Sequence, residues 1–462
     1  MTIKPYTKYK DSSVTWLGDI PEHWGVTRTK NIFRLRTENS GSDHGLELLS
    51  IYTHIGVRPR KSLEQKGNKA STTDNYWIVK RGDLIVNKLL AWMGAIGVSH
   101  YSGVTSPAYD ILRSIQDINS DYYHHLFRTK LYLQQFKAWS RGIMDMRLRL
   151  YFDEFGQIAS IVPPKKEQDQ ITRYLDWQTS KINKFIKAKK KLITLLKEQK
   201  QNVINEAVTK GINPNVKMKD SGVEWLGEIP VHWITRRLKY ISNLNKKTLT
   251  DSTDPDYLFR YVDIGSVSTG TISKNLEQLN YSNAPSRAKR VISKGDTIIS
   301  TVRTYLKAIY HFEHEIKDII ASTGFAVLTP VRIFPKMLGY LLLFDGFIDQ
   351  VIRLSVGASY PAINADRLCD IRVAFPEDKQ EQEFIVEHIE KETALIDKTI
   401  ARTEREIELI QEYRTRLVSD VVTGKVDVRF VEIPDFEPVE VELEAQDDEE
   451  SEDELITEDI EE

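Results

Sequence analysis

The sequence predicts an α+β protein of two tandem mixed domains, with two long helices that pack antiparallel as a coiled coil and relate the halves by a pseudo-two-fold axis. Three observations predict it. The segment DSSVTWLGDIPEHW (11–24) returns as DSGVEWLGEIPVHW (220–233), with ten of fourteen positions identical at an offset of 209. Each half closes on a long heptad-patterned segment free of internal Gly and Pro. Between them lie short apolar runs separated by turn residues, the pattern of small mixed domains.

The chain has 462 residues, which exceeds one ordinary core and implies several domains. Its composition is that of a water-soluble globular protein, 40% apolar and 28% charged. No apolar run is long enough to span a bilayer, and MTIKPYTKYK has no apolar stretch behind its charges, so no secretory leader is expected. Cys369 is the single cysteine, which excludes an internal disulfide and suits a cytoplasmic setting. The net charge of −3 conceals an asymmetry. Residues 431–462 hold 17 Asp and Glu and no Lys or Arg, leaving 50 acidic against 64 basic residues in 1–430, a body of +14. Such a body is the footprint of a polyanion binder. The acidic end is expected to be disordered; it could mimic nucleic acid, although a solubilising role is the simpler reading.

The repeat runs through each half in order. Arg81-Gly82-Asp83 before LIV answers Lys294-Gly295-Asp296 before TII, each a tight turn feeding a buried strand. SPAYDILRS (106–114) answers STGFAVLTP (322–330), and IVPPKKEQDQI (161–171) answers VAFPEDKQEQEFI (373–385). A repeat of about 210 residues is a duplicated domain pair and not a solenoid. In the first long segment Leu175, Ile182, Leu196 and Val203 keep a seven-residue spacing interrupted by Lys189, with Phe185 and Leu192 at the alternating positions. In the second, Ile389, Ile396, Ile410 and Leu417 do the same with Thr403 interrupting, and Ile400, Ile407 and Val421 alternate. These are a/d seams. Pro164 and Pro376 precede the helices, and Gly211 and Gly424 end them. The expected divisions are 1–161 and 213–374 for the mixed domains, 162–212 and 375–426 for the long helices, and 427–462 for the acidic tail. The repeated WLG-(D/E)-IP-x-HW reads as an apolar hook holding each domain to helix ends; stacking of Trp16 and Trp225 on bases is the alternative.

Chemistry-bearing motifs are weak. Asp254-Pro255-Asp256-Tyr257 has the outline of an amino-methyltransferase motif but follows no Gly-rich cofactor loop and suits a turn. No Walker sequence is present, and His124, His125, His311 and His314 lack partners at metal spacing. Polar groups suited to DNA follow each Gly-Asp turn: Asn87, Lys88 and Trp92 in the first half, Arg303, Tyr305 and Lys307 in the second. Arg141, Arg147 and Arg149 form another cluster, Arg147 and Arg149 sharing a face if extended, with Tyr360 and Asn364 as loose counterparts. Arg and Asn can bridge guanine and adenine, whereas Lys mainly holds phosphate; a solvated surface charge is the plain alternative for each.

The whole pattern resembles the specificity (S) subunit of Type I restriction–modification systems. The residues that carry the resemblance are Gly357-Ala358-Ser359-Tyr360, Ile363, Leu368, IRVAFP and Gln380-Glu381-Gln382. In the first half, Arg141-Gly142-Ile143-Met144, Leu148, Phe152, IASIVPP and Glu167-Gln168-Asp169-Gln170 correspond, without the small-residue turn. The resemblance covers residues 11 to about 426. It implies two target-recognition domains reading a bipartite asymmetric DNA site, with a gap set by helix length. It also implies a non-catalytic, cytoplasmic role in phage defence within a restriction endonuclease/adenine methyltransferase complex. One methyltransferase (M) subunit would dock on each half and restriction/translocase (R) subunits would join. S-adenosylmethionine, ATP and Mg would reside on those partners and no cofactor or metal on this chain. The alternatives are a recognition module of another DNA-targeting defence assembly, or a DNA methyltransferase or nuclease with an unrecognised active site.

Overall fold

The computed structural model describes residues 4–42, 45–53, 55–60, 73–142, 148–314 and 317–439. The chain divides into two compact units, 1–190 with 405–462, and 191–404.

In the first unit, Phe33–Arg36, Tyr109–Ser114, Leu84–Asn87 and Ile96–Val98 form a four-stranded antiparallel sheet in that spatial order. Gly25–Arg28 pairs with Ala159–Val162, and Tyr9–Asp11 with Asp19–Pro21. A thinner layer holds Leu49–Tyr52 paired with Gly56–Pro59 and Gly103–Thr105 paired with Trp77–Val79, joined by a parallel bridge from Leu48 to Val104. Helices Ser120–Phe127 and Lys130–Trp139 bury Tyr122, Tyr123, Phe127, Tyr132 and Phe136 against the sheet. These large rings supply most of the apolar area removed from water there.

The second unit repeats the plan. Ser242–Leu244, Phe325–Pro330, Thr297–Ser300 and Ile309–His311 form the antiparallel sheet. Trp233–Arg237 pairs with Arg372–Pro376, and Met218–Asp220 with Glu228–Pro230. Its other layer is a full sheet, Glu277–Asn280, Leu258–Val262, Ile319–Ser322 and Ala288–Val291, in which Leu258–Val262 and Ile319–Ser322 run parallel. Both Gly-Asp motifs are the expected turns. Gly82 and Gly295 have φ of +91° and +86°, which a side chain would resist. Asp83 and Asp296, each 2% exposed, accept the backbone N–H groups of Lys80 and Ser293. Arg113 also clasps Asp83 through two nitrogens, at 2.8 and 2.7 Å.

The long helices are Lys165–Lys210 and Lys379–Val422. In the first unit Asn183 bonds Arg414 and Lys189 bonds Glu406, so rising numbers on one helix meet falling numbers on the other. In the second unit Lys200 pairs with Asp397, while Ile204 and Val208 share a core with Ile385 and Ile389. Within each unit the packing is antiparallel, as expected. Lys189 interrupts the seam because Glu406 answers it at 2.7 Å. The seam is narrower than the heptads suggest: Phe185 and Leu192 stay 43% and 38% exposed.

The repeated hook clamps helix ends, in agreement with the structural reading. Trp24 and Trp233 are fully buried. A Cβ on Gly424 would strike Pro21 and Trp24, and one on Gly211 would press on Trp233 at 3.3 Å; both glycines have φ above +70°. His23 reaches Glu167, and Trp233 with His232 reaches Glu381, at the start of the helix that follows each domain. Trp16 and Trp225 pack on Tyr132 and Phe344.

The expected free tail is corrected at its start. Residues 427–439 lie along the first long helix: Val428 is buried, Gln170 donates to the carbonyls of Val428 and Val431, and Ser180 and Asn183 bond Glu437 and Val439. The acidic residues from 440 onward lie outside the described residues.

Candidate nucleic-acid interface

The two loops after the Gly-Asp turns occupy equivalent places. Asn87 and Ser300 each donate a backbone N–H two strands across, to Ala95 and Ala308. The carbonyls of Lys88 and Thr301 each accept from the partner stretch, from Leu150 and Ile363. A short 3-10 turn follows in both, Ala91–Met93 and Thr304–Leu306. Trp92 therefore matches Tyr305, and Leu90 matches Arg303.

The first loop turns inward. Asn87 is 2% exposed, and its Oδ1 accepts the N–H groups of Leu89 and Leu90. It builds the turn and is withdrawn from the DNA-facing set. Lys88 donates to the Pro107 carbonyl and lies 3.8 Å from Asp110, whose carboxyl is pushed up by burial. Trp92 packs on the core, donates to Leu89 O, and carries Lys137 4.8 Å over its ring. Met93, 46% exposed, is what this turn presents, a residue sequence reasoning passed over. Arg141 and Arg149 exchange backbone hydrogen bonds, and the exposed Arg141 side chain reaches Glu154. Arg147 lies outside the described residues.

The second loop turns outward. Arg303 and Lys307 have φ of +50° and +52°, left-handed conformations that β-carbon-bearing residues adopt at a cost of about 1–3 kcal/mol each. Bridges Val302–Ala362 and Val356–Ala362 bring the 356–362 stretch alongside. The Arg303 guanidinium then sits 4.8 Å over the Tyr360 ring. Tyr305 and Tyr360 are 51% and 64% exposed, Leu306 43% and Val356 71%. Arg303, Tyr305 and Tyr360 thus form one exposed patch, flanked by two apolar residues the sequence did not single out. Lys307 is half-buried. Asn364 caps the Ala365–Cys369 helix through Oδ1 and is primarily structural.

The other motifs settle as structure. Asp254 Oδ1 accepts the Asp256 N–H, and Tyr257 bonds Asp318, so this segment is a turn. His311 shares a proton with Thr297, and burial pulls its pKa down to about 4. Burial pushes the Cys369 thiol up to about 11, which keeps it unreactive. Among the described residues no group of three or more His, Cys, Asp or Glu could hold a metal, and no helix is long and apolar enough to cross a membrane.

A duplicated α+β framework that carries a different exposed loop at the same place in each copy, and a long helix after each copy, defines a two-domain specificity protein. Residues 230–410 match the model of the Type I restriction modification DNA specificity domain. The chain is 23% identical over 426 residues to the Type I restriction enzyme MjaVIII specificity subunit of Methanocaldococcus jannaschii, covering 89% of this chain and 94% of that one. It is 26% identical over 152 residues to the HindI specificity subunit of Haemophilus influenzae, covering 31% and 32%. A chain from a solved assembly of a type I restriction–modification system shares the fold at TM-score 0.60 and 13% identity, covering 88% of this chain and 99% of that one. The chain belongs to the Type I restriction–modification specificity-subunit family, whose members are the non-catalytic DNA-recognition component.

Proposed function

We propose that this chain reads a bipartite, asymmetric DNA target in the cytoplasm, each half contacting its own half-site, and that it holds the methyltransferase and restriction subunits that supply S-adenosylmethionine, ATP and Mg chemistry. The observation that carries the reading is the pair of equivalent loops on one repeated framework. One presents Arg303, Tyr305 and Tyr360 and the other Met93 and Arg141, so two copies of one reader display different chemistry. Partner docking is supported by apolar side chains left exposed on the long helices: Phe185, Leu409 and Tyr413 in the first unit, Leu195, Phe384 and Leu395 in the second. Such residues on a soluble helix mark contact surfaces.

The test is a binding series for Arg303→Ala on duplexes in which every base pair of the methylated site is varied. Loss or relaxation confined to one half-site supports one reader per half-site; equal change in both half-sites refutes it.

A further inference from the structure

The path of the C-terminal segment points to a use for the acidic residues that follow it. Residues 428–439 run parallel to the first long helix. Gln170 holds Val428 and Val431, Arg173 reaches Ile433 and Asp435, Ser180 brackets Glu437 and Val439, and Asn183 holds Val439. Ser180 is 4% exposed and both donates to and accepts from the segment, so the track is built into the helix. Gln170, Arg173, Ser180 and Asn183 follow the three- and four-residue spacing of one helical face. The segment advances along about 20 Å of helix over eleven residues, just under 2 Å per residue.

Continued at that pace, the track meets lysines. The next positions of the same face are Lys184, Lys187 and Lys190, all exposed, and 181–190 carries five lysines and no acid. The next residues of the chain are acidic. Positions 440–462 hold fourteen Asp and Glu and no Lys or Arg. They open on Glu440-Val441-Glu442-Leu443-Glu444, where carboxylates and apolar side chains alternate. An extended chain sends alternate side chains to opposite sides, so Val441 and Leu443 can meet the helix while the carboxylates meet lysine ammonium groups.

We propose that residues 440–450 dock on the Lys184, Lys187 and Lys190 face of the first long helix and occupy it against DNA phosphates. The consequence is specificity. A body of +14 binds any duplex through counterion release, and each lysine taken out of phosphate contact removes sequence-independent affinity while leaving base reading intact. Docking stands apart from the DNA-reading proposal; only the competition with DNA rests on it.

Two measurements on the full chain test this. Zero-length carbodiimide cross-linking with peptide mapping should join Glu440, Glu442 or Glu444 to Lys184, Lys187 or Lys190. Cross-links solely to lysines elsewhere, or none, overturn the docking whether or not the protein binds DNA. Binding to a mixed-sequence duplex is then compared for the full chain, a chain ending at Val439, and the full chain with Glu440→Gln, Glu442→Gln and Glu444→Gln. Both variants should bind roughly tenfold tighter at about 50 mM salt, with a steeper salt slope by about 0.9 per released lysine, and the difference should close at high salt. Adding Lys184→Gln, Lys187→Gln and Lys190→Gln to the truncated chain should erase the gain. Cross-links with unchanged DNA affinity overturn the competition, as does a gain that survives the lysine substitutions.

Discussion

The loop at 87–95 and the loop at 300–308 occupy the same place in the two units and do opposite things. In the first, Leu90 is buried, Trp92 folds onto the core and a glycine, Gly94, takes the left-handed position that ends the turn. In the second, Arg303 replaces the buried leucine, Tyr305 points to solvent, and Lys307 takes the left-handed position. The backbone hydrogen bonds that frame the loops are the same. Duplication therefore preserved the joint and left the surface free to differ. A few side chains decide whether the turn closes on its own core or faces a ligand.

The joint is where the largest effects are expected, and it should behave alike in both units. Trp24 and Trp233 are both fully buried at the helix ends, and truncating such a side chain costs about 3–5 kcal/mol. Trp233→Ala should cost more than Trp24→Ala, because Trp233 Nε1 also donates to Glu381 while Trp24 Nε1 has no partner. Denaturant unfolding followed separately for each unit checks this. Equal losses would show that the indole hydrogen bond contributes nothing.

Acid sharpens the comparison next. His311 in the second unit has its pKa pulled from 6.5 to about 4 by burial, with Lys336 adding to the shift. The unfolded chain takes up a proton below about 6.5 and the folded chain does not until about 4, so stability is full above 6.5 and falls as pH drops toward 4. The loss is roughly 3 kcal/mol at most. His311→Gln should flatten that part of the second unit's pH profile. An unchanged profile would place the acid sensitivity elsewhere, His124 of the first unit being the next group, since burial also lowers its pKa.

These contrasts show what was legible in the sequence. The framework was, because strands and turns leave periodic apolar runs and Gly-Asp punctuation, and because two copies report the same joint twice. The hook at Trp24 and Trp233, the Gly211 and Gly424 ends and the antiparallel helices all follow from such patterns. The reading surface was legible only in the second unit. Asn87 looks like an adenine reader, yet a side-chain amide two residues before a turn also satisfies backbone N–H groups, and here burial decides for the turn. Lys307 at positive φ carries no mark in the sequence, since Gly is the usual sign. The 427–439 segment was hidden by its acidic composition, because its contacts are made by backbone carbonyls that any sequence possesses.

The smallest expected effect on stability discriminates most finely between the loops. Arg303 holds a left-handed backbone without a glycine, so its side chain is retained against conformational cost. Arg303→Gly should leave the second unit as stable or raise its stability by up to about 1 kcal/mol, since glycine adopts that φ without strain while loosening the unfolded chain. The same substitution removes the guanidinium stacked on Tyr360. Recognition of one half-site should therefore fall by about 1–3 kcal/mol if Arg303 bridges a base, whereas a phosphate contact would weaken all sequences alike and lower the salt slope by about 1. Leu90→Gly at the equivalent place in the first unit should do the reverse, destabilising the fold because Leu90 is buried while leaving base preference unchanged. Parallel melting curves and binding series on the two variants make the comparison. Arg303→Gly that unfolds the second unit would show that the arginine is a structural residue, and the outward loop would lose its standing as the reading surface.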